Sequence, residues 1–149
     1  MRKAILLGAI LLPATMLLAQ GSAQPLDVKT GVWEVSMTTT INGAENPQTR
    51  TYKSCLKKED LNKYPFVDPE KRCSYTVVSS TGTTMEAHGT CQPGSEGAKA
   101  DFTMRLDALD TENVKGKGQL ALAVAGRTIN GVYAATAKWI ADTCPAGMR

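Results

Sequence analysis

The chain has 149 residues, a length that suits one domain of ordinary size. It carries 17 Lys and Arg against 14 Asp and Glu; because Arg2 and Lys3 fall in a segment predicted to be removed, the remaining balance is 15 against 14, or about +1. This near balance argues against a nucleic-acid-binding protein, for which a basic stripe is expected.

Residues 1–23 have the features of a secretory signal peptide. Two basic residues precede an apolar run from Ala4 to Ala19, and small residues up to Ala23 are placed for signal peptidase. A retained membrane anchor is the alternative, but the run is shorter than the ~20 residues that span a bilayer. We therefore expect cleavage near Ala23, a single domain over residues 24–149, and a periplasmic or secreted location.

Alternation of apolar and polar residues predicts seven strands. They are Val32–Ile41, Thr49–Leu56, the two arms of a hairpin within Cys73–Cys91, Ala100–Leu109, Val114–Val124 and Thr128–Ala141. Between the second and third strands, Lys57–Tyr64 is predicted to be a helix of about two turns that Pro65 ends. Such a short helix must dock on the sheet, through Leu61 and Tyr64, to be stable. A lid over a pocket is the alternative to this simple crossover.

Turn residues predict the register of both hairpins. A three-residue loop at Ser80–Gly82 sets Val77 opposite Met85 and Tyr75 opposite Ala87. A type II′ turn centred on Gly126-Arg127 gives the last two strands these pairs: Val124 with Ile129, Leu122 with Gly131, Leu120 with Tyr133, Gly118 with Ala135, Gly116 with Ala137, Lys115 with Lys138 and Val114 with Trp139. The inner face is then thin around the glycines, and Trp33, Phe102 or a ligand must fill the space.

Seven strands that each carry one apolar face bury it by closing into a barrel or by folding into a sandwich. Gly116, Gly118 and Gly131 suit strong curvature. The predicted fold class is therefore all-β, with one short helix and a closed, barrel-like antiparallel sheet favoured over a sandwich.

Four cysteines in an exported chain suit two disulfides, for which three connectivities exist. The cysteines are Cys55, Cys73, Cys91 and Cys144. Cys55 with Cys73 is favoured because the two flank the short helix, and Cys91 with Cys144 follows by elimination. In a plain meander that second pair would lie at opposite ends of the sheet, beyond the roughly 7 Å Cα separation that a disulfide bridges. A zinc site is disfavoured because no two cysteines are spaced as ligands.

Candidate chemical groups are few. His88, the only histidine, lies beside Glu86 on the outward face and could act as a general base, but an exposed surface histidine is the favoured interpretation. No GxSxG motif points to a nucleophile, although a Ser-His-Asp triad needs only proximity in space. Four polar residues cluster at a turn without the spacing of an EF-hand, which favours a solvated turn over a calcium site. They are Asp107, Asp110, Glu112 and Asn113.

Five stretches carry a resemblance to a known family. They are V-K-T-G-V-W-E-V (Val28–Val35), Y-K-S-C-L-K-K-E-D-L (Tyr52–Leu61), the hairpin Cys73–Cys91, L-D-T-E-N-V-K-G (Leu109–Gly116) and G-V-Y-A-A-T-A-K-W-I-A-D-T-C (Gly131–Cys144). Over residues 28–144 the chain resembles the bacterial envelope family described as domain of unknown function (DUF) 3617. The resemblance implies a signal peptide or lipoprotein signal, an all-β fold and paired cysteines, and it supplies no activity or site residues. The short Asn42–Gln48 connection departs from relatives that carry a long Met/Pro-rich insertion.

These observations predict a non-enzymatic binding or structural component of the cell envelope, without cofactor, metal or membrane anchor. Its candidate partners are an apolar small molecule or another envelope protein. The first alternative is a carrier that holds an apolar small molecule or lipid in a cavity around Gly116, Gly118, Ala135 and Ala137. The second alternative is a hydrolase that uses His88.

Overall fold

The structure of the protein is a computed structural model that describes residues 24–42, 44–66, 73–92 and 98–148. The predicted signal peptide, residues 1–23, lies outside the described residues. Most of the predicted Gln92–Lys99 connection lies outside them as well.

The described chain is all-β, as predicted. Its seven strands are β1 (Gly31–Ile41), β2 (Gln48–Leu56), β3 (Cys73–Ser80), β4 (Thr84–Cys91), β5 (Lys99–Ala108), β6 (Asn113–Val124) and β7 (Arg127–Ala141). The alternation of side chains located the strands well because each strand buries one face and exposes the other.

All seven strands belong to one antiparallel sheet of order β2-β1-β7-β6-β5-β4-β3. This is the neighbour order of an up-and-down barrel with the β2–β3 pairing missing, so the predicted closed barrel is wrong, and a single sheet is not a sandwich. Aromatic residues of the connection between β2 and β3 pack beside both edge strands. Tyr64 stacks on Tyr75 of β3 with ring centroids 4.6 Å apart, and the Tyr52 hydroxyl of β2 donates to the Phe66 carbonyl at 3.0 Å. Side-chain packing there takes the place of a hydrogen-bonded ladder.

The connection itself is not the predicted helix. Only Lys58–Asp60 forms a 3₁₀ helix. A two-turn α-helix is marginal in water, and packing of the segment on the sheet dominates its conformation. The predicted docking residues do pack on the core, because Tyr64 is buried and Leu61 is half-buried against it.

Residues 24–30 cross the end of the sheet at which β1 begins, called here the N-terminal end. Their backbone amides donate to three carbonyls at the β3–β4 and β5–β6 turns: Gln24 to Ser80 at 3.1 Å, Asp27 to Gly82 at 2.6 Å and Lys29 to Thr111 at 2.9 Å. Leu26 is only 2 % exposed. Two indole N–H groups hold the same segment, since Trp33 donates to the Lys29 carbonyl at 2.9 Å and Trp139 to that of Thr30 at 3.0 Å. The inner face is thus covered at this end; the opposite end, with the β6–β7 turn, is called the hairpin end.

Both hairpins are shifted by two residues from the predicted register. In β3–β4, Val77 pairs with Ala87 and Cys73 with Cys91, because the last pair before the turn is Ser80 with Met85 and a bulge interrupts the ladder between Val77 and Ser79. A shift of two keeps each side chain on its predicted face but changes its cross-strand partner.

The β6–β7 turn has Ala125 and Gly126 at its centre, with φ of 48° and 76°. Two positive φ angles define a type I′ turn rather than the predicted type II′ turn. Gly118 therefore faces Tyr133, and Lys115 faces Thr136 instead of Lys138.

The disulfides are Cys55–Cys144 and Cys73–Cys91, so the predicted pairing is wrong. Cys73 and Cys91 are direct cross-strand neighbours with Cα atoms 4.0 Å apart; we call their bond the hairpin-end disulfide. Cys55 lies opposite Val32, which also pairs with Ala141, so the chain after β7 needs only to cross the start of β1 to reach it. This bond is called the N-terminal-end disulfide. The predicted Cys55–Cys73 bond would have had to join opposite ends of two unpaired edge strands.

Candidate binding groove on the outer face

A row of mostly polar side chains crosses five strands on the outer face. Alternation points these residues away from the core, and the register places them side by side. The row consists of Thr76 on β3, His88 on β4, Thr103 on β5, Gln119 on β6 and Val132 on β7. At about 4.8 Å between strands, its length is roughly 19 Å.

A second row lies next to the first, toward the hairpin end. It consists of Ser74, Thr90, Asp101, Ala121 and Asn130, again one from each of β3 to β7. Both rows line a groove of about 720 Å³, which we call the outer groove. An adjacent depression of about 520 Å³ shares His88, Thr103, Gln119 and Val132 with it. The two concavities are continuous over the middle of the outer face.

The charged groups at the groove are paired with one another. The Thr90 hydroxyl donates to the Asp101 carboxylate at 2.8 Å, and Lys99 lies 3.3 Å from the same carboxylate. The Thr90 hydrogen bond, followed by that from Lys99, lowers the pKa of Asp101. Arg105 reaches Glu86 at 3.3 Å and Asp107 at 2.9 Å. Hydroxyl and amide groups in the middle of the groove are thus flanked by ion pairs that are already formed.

The structure does not assemble the general base considered for His88. Glu86 accepts hydrogen bonds from Arg105 and, at 3.5 Å, from Ser79. His88 is exposed in the groove, and no hydrogen bond links it to Glu86 within the described residues. The pair therefore lacks the contact by which a carboxylate orients a histidine.

The acidic side chains at the turn between β5 and β6 are engaged in hydrogen bonds and ion pairs with neighbouring groups. Asp110 accepts hydrogen bonds from the Glu112 amide at 2.7 Å and from the Asn113 side chain at 2.9 Å, and the former is the largest cause of its lowered pKa. Glu112 pairs with Lys29 and Asp107 with Arg105. In the part of the chain that the structure describes, no group of three or more acidic, His or Cys side chains could hold a metal ion.

The interior has no ligand-sized cavity where the carrier alternative places one. The space lined by Gly116, Ala135 and Ala137 measures about 10 Å³, which is close to the minimum for one water molecule. At Gly118 the space is filled by the Tyr133 ring, whose hydroxyl donates to the Thr103 carbonyl at 2.6 Å. Tyr133 takes the place that was predicted for Trp33 or Phe102; Phe102 instead packs over Gly89.

Sequence reasoning placed His88 on the outer face but missed the groove. The alternation does mark Thr76, Thr103 and Gln119 as outward, and this is the available signal. Their alignment into one row depends on the register, and the predicted register would have set Thr76 against Glu86 instead of His88.

Among the described residues, no helix has the length and apolar character needed to cross a membrane.

The fold and the groove define a small all-β domain built on one open antiparallel sheet, fastened by two disulfides. The sequence model of a family described as protein of unknown function (DUF3617) matches residues 28–144, which include all seven strands and both disulfides. The chain belongs to this family, which confirms over the same residues the resemblance of its motifs to DUF3617. Comparison with curated proteins and with solved structures gave no match.

Proposed function

We propose that the chain is exported, loses residues 1–23 and acts in the bacterial cell envelope as a non-enzymatic binding protein. The N-terminal sequence supports export, because it has the basic start, apolar run and small residues of a signal peptide. The two disulfides support the same location, since disulfides persist in oxidising compartments such as the periplasm.

The outer groove is the proposed binding site. The observation that carries this proposal is the set of neutral hydroxyl and amide side chains in the two rows, with the nearby acids already paired to Arg105 and Lys99. These side chains are Ser74, Thr76, Thr103, Gln119 and Asn130. A ligand that gains most from such a surface is extended, uncharged and rich in hydrogen-bonding groups, because it meets unengaged donors and acceptors without displacing an ion pair. Val132, 51 % exposed at one end of the row, adds an apolar contact.

Binding is favoured over catalysis because, within the described residues, no carboxylate is hydrogen-bonded to His88, and the Thr90 hydroxyl donates a hydrogen bond to Asp101 rather than to the histidine. Binding on the outer face is favoured over transport of an apolar molecule inside the sheet because the interior space at Gly116 is about 10 Å³.

A charged, bulky side chain in the middle of the groove tests the site. Thr103→Arg should abolish ligand retention, whereas Thr136→Arg, at an exposed outer-face position away from the groove, should not. The measurement is mass spectrometry of small molecules released on denaturation from each protein purified natively from the periplasm. Equal retention by both variants, or release of nothing from the unsubstituted protein, would contradict the proposal.

Export has a separate test. N-terminal sequencing of protein from the periplasmic fraction should give a start near Gln24. An uncleaved chain found only in the cytoplasm with free thiols would refute it.

A further inference from the structure

The polar alternation of β6 stops before the strand ends. Its outward residues are Lys115, Lys117 and Gln119 in the first part of the strand, and then Ala121 and Ala123. The inward residues stay apolar throughout, so the stretch from Leu120 to Gly126 has no polar side chain on either face. An exposed strand ordinarily keeps one polar face.

The end of this stretch extends beyond the paired residues of both neighbouring strands. The last pair with β5 is Lys99 with Ala123, and the last pair between β1 and β7 is Ile41 with Gly131. The hairpin continues beyond both neighbours, with Val124 39 % and Ile129 37 % exposed. We call residues 122–125 together with Ile129 the apolar tip.

The tip hydrogen-bonds its own backbone. Its register runs without interruption to Val124 opposite Arg127, and a two-residue turn closes it. A hairpin of this kind can leave bulk water without exposing a long unpaired strand edge.

A cation lies at the closing pair of the tip, because Arg127 is the cross-strand partner of Val124. Arg127 is exposed and makes no ion pair within residues 24–42, 44–66, 73–92 and 98–148. Lys99, opposite Ala123, is paired with Asp101. Arg127 is thus the group beside the tip that is available to an external anion.

We infer that the apolar tip docks into the boundary between headgroups and acyl chains of an anionic lipid bilayer, with the long side chain of Arg127 extending back to lipid phosphates. A lipid environment suits this stretch better than a groove on another protein. The side chains of β6 are apolar on both faces of the strand here, and lipid can surround both faces, whereas a protein surface would cover only one of them. Val124 and Ala125, which follow the last pair with β5, measure about 7 Å along the strand. This length matches the 5–10 Å to which peripheral elements bury and is far below the 9–11 residues of a spanning strand. The inference adds a membrane contact to the proposed binding function. Export determines only which membrane the tip contacts.

The test is sedimentation of the chain lacking residues 1–23 with vesicles of phosphatidylglycerol and phosphatidylcholine. The double substitution Val124→Glu with Ile129→Glu should reduce the vesicle-bound fraction at least about 10-fold, because two apolar contacts become charges. Val78→Glu is the matched control: Val78 is 57 % exposed but lies on β3 near the N-terminal end, so this variant should bind like the unsubstituted protein. Arg127→Glu should weaken binding to these vesicles and leave binding to phosphatidylcholine alone unchanged.

A direct readout of contact is the fluorescence of Val124→Trp, which should shift to the blue on addition of the same vesicles, while Val78→Trp should not. Failure of the unsubstituted protein to sediment, equal loss in Val78→Glu, or loss of a dimer in the tip variant without any vesicle binding would each overturn the inference. None of these outcomes depends on whether the chain is exported or on what the outer groove holds.

Discussion

Gly118 in the middle of the sheet should tolerate a side chain poorly. A methyl group at this position would overlap both the Tyr133 ring and the Thr103 carbonyl oxygen. The Tyr133 hydroxyl donates to that same carbonyl, so the ring cannot move aside without losing its hydrogen bond. Gly118→Ala therefore perturbs a buried aromatic group and its only described polar contact at once.

The expected cost of Gly118→Ala follows from three contributions. Overpacking costs about 1–3 kcal/mol, and loss of the hydrogen bond about 0.5–1.5 kcal/mol. Replacing a strand glycine by alanine returns about 0.5–1 kcal/mol of backbone entropy. The net destabilisation should be about 2 kcal/mol. Tyr133→Phe, which removes only the hydroxyl, should cost about 1 kcal/mol.

Gly116→Ala is the matched control. The nearest atoms to a new methyl group there are Leu106 Cδ2 at 3.1 Å and Ala135 Cβ at 3.3 Å, beside the space of about 10 Å³. Because the Leu106 side chain can rotate away, the overpacking cost and the entropy gain should nearly cancel.

Urea unfolding followed by tryptophan fluorescence measures these differences, because Trp33 is fully buried. In a Tyr133→Leu background, which removes the ring, Gly118→Ala should cost at least about 1 kcal/mol less than in the original chain. The reasoning is refuted if Gly118→Ala and Gly116→Ala have the same free energy of unfolding, or if the cost is unchanged when Tyr133 is replaced.

Three further measurements test the core and the disulfides. Loop separations of 89 and 18 residues predict that replacing both cysteines by Ser lowers the free energy of unfolding by about 4.6 kcal/mol at the N-terminal-end disulfide and about 3.2 kcal/mol at the hairpin-end disulfide; equal losses in urea titrations would count against the chain-entropy account. Burial, and then the neighbouring tyrosines, raise the pKa of Tyr64 well above its usual 10.0, so the folded chain holds a proton that the unfolded chain releases. Stability should therefore be full below about pH 10 and fall as pH rises above it, and Tyr64→Phe should flatten this decline in alkaline unfolding curves. Leu26→Ala should cost about 2–5 kcal/mol by calorimetry, because Leu26 is buried where residues 24–30 cross the sheet; a cost below about 1 kcal/mol would show that this segment is not part of the folded core.

The sequence predicted faces better than it predicted partners. Period-two alternation states only which side of a strand a residue occupies, so a register shift of two residues leaves the pattern intact. In β6–β7 the register depends on Ala125, which adopts a positive φ that alanine rarely takes. The sequence therefore predicts a turn that begins at Gly126. The outer groove depends on cross-strand alignment, so alternation marks its residues as outward without placing them in a row.

The errors in closure and in disulfide pairing have a common origin in non-local packing. Alternation predicts a sheet with one apolar face but does not say what covers that face. Here Leu26 from the N-terminal segment and Phe66 from the β2–β3 connection contribute to the core. Their side chains supply apolar cover that barrel closure would otherwise have to provide, so the two edge strands need not pair.

The two ends of the sheet consequently differ in a way that bears on function. At the N-terminal end, Trp33, Trp139 and Lys29 fasten the crossing segment, and Glu112 holds Lys29 in turn. The second row of the outer groove and the apolar tip both lie toward the hairpin end, where the β6–β7 hairpin extends beyond the paired residues of β5 and β1. Ala121 lines the groove and the tip begins at the next residue, so a tip seated in a lipid surface would bring the groove within about 10 Å of that surface. Substitutions at the tip should then change which ligands the groove meets without changing a single groove side chain.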